Sequence, residues 1–465
     1  MAEVDRISFL PDDIKISILS RLVVKEAVRT SALARSWRHT WTLLPSFRLG
    51  CHLDRLGETS KDFDSRPVSS TWIKRVSHLV SSLRGPLILF QLSLMLPLYI
   101  RERMNWRQTL PLYIDPSNPL QSLLDLLVKK GVAGTLNLCF YYPNTVPFCL
   151  HSYHSHKVKV RLPSFHSLKV LQLHGCELIL RNEFQGFHSL TTLSLSNVII
   201  SNRHLHFLLD TSKNLTTFKF FARDLDLVPD LSLNISLPLL TNVEFGINKM
   251  VDKICLVSTP RLEQAHIRVT DIDYGSKKLA RVTLGLLNSV SMVSSLHLDC
   301  YVLETLSRLA LPFNFSFPQL KCLKFFLNLD TLDKRTFDVF RWLLKSMPFL
   351  EELHLKLLCL ERQTEGVATL MRELFVKKQN GISCLNQTLK RVTLSMYLLR
   401  NVMTGITVVK FFLLNAKVLK LMNIICAGDD DELSMIEELK IVEVASSDAK
   451  VVMFNITTEI TVNVK

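Results

Sequence analysis

The chain has 465 residues, too many for one compact core, and 48% of them are hydrophobic, so its architecture must bury an unusual amount of apolar surface. Its most apolar run, Leu87 to Ile100, is short, carries Gln91, Ser93 and Pro97, and is closed by Arg84 and Arg101, which excludes a membrane span. The net charge of +14 is dispersed, with nothing longer than the dipeptides Lys129-Lys130, Lys277-Lys278 and Lys377-Lys378, which argues against a nucleic-acid-binding arm.

The start MAEVDRISF lacks a basic segment followed by an apolar one, and the expectation is a chain that stays in the cytosol or nucleus. From Asp5 to Pro45 the pattern is helical. Pro11 stands where a helix would begin, Asp12 and Asp13 fall in its first turn, and Ile14, Ile18 and Leu22 recur at helical spacing. A second helical pattern opens near Lys25 with Ala27 and Val28, and Leu33, Trp37, Trp41 and Leu44 continue as an apolar stripe. Three short helices are predicted. A unit of about 40 residues buries little surface and needs a partner over its leftover apolar face, so the segment reads as a docking module.

The combination Leu10-Pro11, Ile18-Leu19, Leu22, Ala27-Val28-Arg29-Thr30, Leu33, Ser36-Trp37-Arg38 and Trp41 resembles an F-box, spanning residues 1–47. That resemblance implies binding to the Skp-type adaptor of a cullin-RING ubiquitin ligase, with the rest of the chain selecting the protein to be ubiquitinated. It also implies an adaptor-facing set: Leu10, Pro11, Ile14, Ile18, Leu19, Leu22, Val28, Leu33, Trp37 and Trp41.

Residues 48–70 are polar and read as a linker. Thr71 to Ile100 and Leu120 to Tyr142 each read as helix, glycine turn and apolar strand, with Gly85-Pro86 before LILFQL and Gly131 and Gly134 before TLNLCF. The stretch Arg101 to Pro119 between them has little periodicity and reads as an insertion loop. From Phe165 a repeat emerges: Leu168-x-x-Leu171-x-Leu173-x-x-Cys176-x-Leu178 fits the leucine-rich-repeat pattern. The position of Leu171 recurs at 193, 218, 243 and 265, steps of 22, 25, 25 and 22, then at 296, 323 and 353, steps of 31, 27 and 30. Two-residue alternation inside such a repeat predicts a short strand followed by a helical or irregular return, each unit burying its apolar side against its neighbours. The fold class is therefore α/β: a three-helix module at 1–47, then a solenoid at 71–380 with parallel strands on its concave face.

The block FQGFHSLTTLSLSNVIISNRHLHFLL resembles the repeats of the plant F-box/LRR/FBD family. Beyond Gly381, Cys384-Leu385, Leu389-Lys390-x-Val392, Leu414-x-Ala416-Lys417-Val418-Leu419 and Ser447-Asp448-Ala449 are similar to the FBD region that closes many of its members. Residues 381–465 are thus expected to form an FBD-like cap, although the family's aromatic and proline signals are missing between Ser395 and Phe411.

In Leu-x-x-Leu-x-Leu the residue between the last two leucines points away from the core. Reading that position gives Gln172, Ser194, Lys219, Glu244, His266, His297, Lys324 and His354, the expected target-binding row, with one acid among eight and a fit to an acidic or phosphorylated partner. Ten cysteines occur singly, without a CxxC pair, which argues against a disulfide framework or a cysteine-rich zinc site. Cys149, His151, His154 and His156 are dense but poorly spaced for a metal. Asp429 to Glu432 lacks the alternation of a calcium loop. No phosphate loop, nucleophile elbow or HExxH motif occurs. The expectation is a non-catalytic substrate receptor without metal or cofactor, the alternative being an LRR interaction scaffold outside any ligase.

Overall fold

The computed structural model describes residues 7, 9–50, 70–95, 117–141, 157–221, 231–248, 251–270, 276–299, 301–359, 381–399, 402–426, 437, 439, 444–454 and 459–462. The chain divides into two compact units, Met1–Val228 and Pro229–Lys465. No helix among the described residues is long and apolar enough to cross a membrane.

The first unit opens on α1 (Asp12–Leu19), whose N-cap Pro11 holds φ −56° and ψ 150° and whose first turn carries Asp12 and Asp13, as dipole and proline geometry favour. After α2 (Val24–Arg29) come three 3-10 turns, Thr30–Ala32, Arg35–Trp37 and Thr40–Leu43, in place of the expected third helix. Ala34 is extended, at φ −157° and ψ 161°, which interrupts the helical path, so Leu33, Trp37, Trp41 and Leu44 do not share one face. Trp37 and Leu44 join Leu19 and Ala27 in the core, while Leu33 is 74% exposed.

Strand β1 (Ser46–Gly50) follows at once and pairs with β2, Phe47 beside Phe90 and Arg48 beside Gln91. The expected linker boundary at residue 48 is therefore displaced: Arg48 to Gly50 are strand, residues 51–69 lie outside the described residues, and Ser70 opens α3 (Ser70–Ser82). After β2 (Leu89–Met95) comes α4 (Ser117–Lys129), which takes Ser117 to Pro119 out of the expected insertion loop; residues 101–116 lie outside the described residues. The unit continues through β3 (Thr135–Tyr141), β4 (Val158–Leu162), β5 (Val170–His174), β6 (Cys176–Leu180), β7 (Thr192–Ser196), α5 (Asn202–Thr211) and β8 (Thr217–Phe221). Strands β1, β2, β3, β5, β7 and β8 pair in that order, all parallel. A Cβ on Gly134 would stand 2.4 Å from the Ile88 carbonyl oxygen, so the approach of β2 to β3 depends on glycine there.

The second unit runs β9 (Leu231–Ser236), β10 (Asn242–Ile247), β11 (Val251–Ser258), β12 (Gln264–Val269), α6 (Lys277–Ser289), β13 (Ser295–Leu298), α7 (Val302–Leu306), β14 (Cys322–Asn328), α8 (Lys334–Lys345), β15 (Glu352–Cys359), α9 (Ser383–Gln387), β16 (Arg391–Leu399), α10 (Val402–Asn415), β17 (Leu421–Ile425), β18 (Lys450–Phe454) and β19 (Glu459–Val462). From β10, β12 and β13 onward to β18 each strand is parallel to the next, and β19 closes antiparallel on β18. The FBD-like strands β16 and β17 thus extend the repeat ladder itself.

Return segments explain the uneven repeat steps. Where the chain returns through β6 or β11 the step is 22 residues, where it returns through α5 or β9 it is 25, and where it returns through α6 or α8 it is 31 or 30. Strand returns were not expected. They arise where the return itself alternates, as in Val158, Val160 and Leu162 against Cys176, Leu178 and Leu180, all buried, a pattern that fits a pleated face and not a helix. Helical returns instead bury one stripe, as in α8 with Phe337, Phe340 and Leu344.

Candidate functional site

Two surfaces carry the chemistry that the sequence reading singled out. On α1 adjacent stripes differ in exposure: Lys15 and Leu19 are buried, whereas Ile14 and Ile18 are exposed. Lys15 is kept inside by its stem and by placing Nζ 5.8 Å from the Trp37 ring centroid and 3.7 Å from Asp12. Exposed with Ile14 and Ile18 are Pro11, Leu22 and Leu33 from the expected adaptor set, while Leu10, Val28 and Trp41 are half-buried. Leu19, at 0% exposure, and Trp37, at 4%, are core residues, a correction to their reading as adaptor-facing: they hold the exposed stripe in shape. Ile7 and Phe9, the latter 81% exposed, add apolar surface that the sequence reading missed because both precede the first helix.

The eight residues of the expected row stand in register within each unit. In the first, Gln172 lies beside Ser194 and Ser194 beside Lys219. In the second, Glu244, His266, His297, Lys324 and His354 occupy successive strands in register. None of the eight is buried, while their strand neighbours Leu171, Leu173, Leu296 and Leu298 are. The same register adds Arg48, Gln91 and Asn137 before Gln172, and Thr393 and Asn423 after His354. The Asn137 amide donates to Gln172 Oε1 at 2.9 Å.

The second unit's row is electrostatically organised. His266 Nδ1 stands 2.9 Å from Glu244 Oε1, and its Nε2 is 3.7 Å from Asp299 Oδ2, a charge contact too long for a hydrogen bond. Arg268 Nε donates to the same Asp299 carboxylate. The His266 and His297 rings stack with centroids 3.8 Å apart and planes within 8°. Burial pulls the His266 imidazole down, but the Asp299 and Glu244 carboxylates outweigh it and its pKa lies above the ordinary value. His297 goes the other way, to about 4, through burial and then the charge of His266. Burial and Lys324 hold His354 below its ordinary value. Lys324 itself is exposed.

A family model described as FBD-associated F-box protein At5g56370, LRR repeats, matches residues 120–355, half of the chain. The chain belongs to that F-box/LRR family. An F-box domain model matches residues 7–49 and an FBD model residues 377–424. Among curated relatives, the F-box/FBD/LRR-repeat proteins At5g52460 and At2g04230 of Arabidopsis thaliana are 51% and 48% identical over 45 and 44 residues, each 10% of this chain and 12% and 10% of the relative. The F-box/FBD/LRR-repeat protein At1g13570 is 26% identical over 201 residues, 42% of this chain and 39% of that relative. Each match therefore spans well under half the length of the relative.

Several residues of this F-box/LRR chain's outward face escaped the sequence reading. Arg268 and Asp299 lie two positions beyond the row, and Glu352 and Arg391 two before it; Glu352 pairs with Arg391. The signal was available, since residues two apart on a strand share a face. The two groups weighed as metal sites in the sequence, Cys149 with His151, His154 and His156, and Asp429 to Glu432, lie outside the described residues.

Proposed function

We propose that the chain is the substrate-recognition subunit of an SCF-type cullin-RING ubiquitin ligase, its F-box engaging a Skp-type adaptor and its LRR strands a target protein. The observation that carries this reading is the partition of the F-box: its own core takes Leu19, Ala27, Trp37 and Leu44, yet Phe9, Ile14, Ile18, Leu22 and Leu33 remain exposed together in one small module. Apolar exposure of this kind marks a surface that a partner covers. Such a receptor performs no bond chemistry; it raises the effective concentration of an acceptor lysine near an enzyme thioester held by other subunits. On the target side, Glu244 is engaged by His266 while Lys324 stands exposed, which favours an acidic or phosphorylated partner. The working compartment in this reading is the cytosol or nucleus.

The test is calorimetry of the full chain against purified Skp-type adaptor. Wild type should bind, and Ile18→Asp with Leu33→Asp should abolish binding with an unchanged circular-dichroism spectrum. Absence of wild-type binding would leave an LRR interaction scaffold instead.

A further inference from the structure

The register of β14 and β15 brings together three donors that are far apart in sequence. Cys322 lies directly beside Glu352, and His354, two residues on, shares the same outward face. Their ligand atoms, one sulfur, one carboxylate oxygen and one imidazole nitrogen, all lie within 4.8 Å of one another. We propose that Cys322, Glu352 and His354 form a three-ligand site for a zinc-class divalent cation on the LRR face.

The donor set decides the class of ion. Thiolate and imidazole together select zinc-class metals over magnesium or calcium, which take oxygen, and a carboxylate beside them suits zinc better than a copper(I) site built from soft ligands alone. The dimensions fit. Tetrahedral zinc bonds imply ligand-to-ligand separations of roughly 3.3–3.6 Å; His354 Nε2 and Glu352 Oε2 already stand 3.7 Å apart, and the remaining contraction lies within side-chain rotation of half-buried groups. The carboxylate is oriented for the task, because Arg391 holds Oε1 and leaves Oε2 toward His354, the kind of outer partner that positions a ligand. A thiolate and a carboxylate supply two negative charges against the ion's two, so the loaded site adds no net charge beside the nearby cations Lys324 and Arg391. Three protein ligands leave a fourth position open, to water or to a donor from a partner lying across the strands. This site goes beyond receptor function and does not depend on it.

The experiment uses the full chain after chelator treatment, with cobalt(II) alone as the probe. Expected is one equivalent of cobalt bound with a near-ultraviolet thiolate-to-cobalt absorption band. Cys322→Ser should remove the band, and Glu352→Gln and His354→Gln should each weaken binding by more than about tenfold, the loss that even an orienting neighbour of a ligand causes. Zinc should displace the cobalt. A chain that gives no thiolate band, or one whose band survives Cys322→Ser while the variant keeps the wild-type circular-dichroism spectrum, overturns the proposal. Should Cys322→Ser fail to fold, persistence of wild-type affinity in His354→Gln overturns it equally.

Discussion

Ile18 and Leu19 are neighbours in sequence but about 100° apart around α1, and that rotation separates an exposed residue from a core residue. Leu19 is completely buried against Ala27, Trp37 and Leu44, so Leu19→Ala should cost about 2–5 kcal/mol by denaturant unfolding. Ile18→Asp, on the exposed stripe, should change stability by no more than about 0.5 kcal/mol and remove adaptor binding. A large stability loss from Ile18→Asp would show that the stripe belongs to the fold instead. The stacked histidines make a second residue-scale prediction. His266 binds its proton more tightly in the folded chain than in the unfolded one, so it adds stability that is complete below its ordinary pKa and lost as pH rises through the raised folded value. His297, at about 4, holds its proton less tightly when folded, so stability falls as pH drops from about 6.5 toward 4. Urea unfolding across pH should show the acid-side loss reduced in His297→Gln and the gain on descending from alkaline pH reduced in His266→Gln. Identical profiles in both variants would refute the opposed titration of the pair.

At the scale of elements, the parallel ladder leaves little tolerance at its crossings. Gly175 joins β5 to β6 at φ +71°, and a Cβ there would stand 2.0 Å from the Phe140 carbonyl oxygen. Gly175→Ala should therefore destabilise by more than the about 1 kcal/mol that an unfavourable φ alone brings, measured as a lowered urea midpoint with an unchanged slope. Helix α10 overlaps the segment between Ser395 and Phe411 that lacks the family's aromatic and proline signals, and it carries no helical stripe either. Its buried residues include Ile406, Val408, Val409, Phe411, Phe412 and Leu413, which surround the helix instead of marking one stripe, so the 3.6-residue period is erased. The third F-box helix failed for the converse reason: the spacing of Leu33, Trp37 and Trp41 is helical, but extended Ala34 breaks the path that would have put them on one face.

For the whole molecule, the adaptor docking and target capture proposed above draw on different residues and should be separable. Reversing charge at Lys219 and Lys324 together should slow target association, with the deficit shrinking as ionic strength rises, while adaptor binding stays at wild-type strength. Ile18→Asp should do the opposite. Kinetics of both variants against both partners decide the matter: intact capture in the double reversal would place the target on the return segments or the FBD strands. The length of the ladder makes this separation possible, because each repeat buries its core only against its neighbours and its outward side chains can change without altering packing elsewhere.

Sequence alone determined the class of the chain and the alternation of its strands. The period of two placed all eight row residues on the outward side, and the spacing from Leu171 to Leu353 located the ladder strands but not the strand returns between them, because these patterns are local consequences of backbone geometry. Only the tertiary structure decided which of two adjacent stripes on α1 meets the core, since that depends on where Trp37 and Leu44 fold back. It alone set Glu244, His266 and Asp299 around one another and placed Cys322 beside Glu352. Those contacts join residues 22 to 33 positions apart, and their register follows from how whole return segments pack, which no local period encodes.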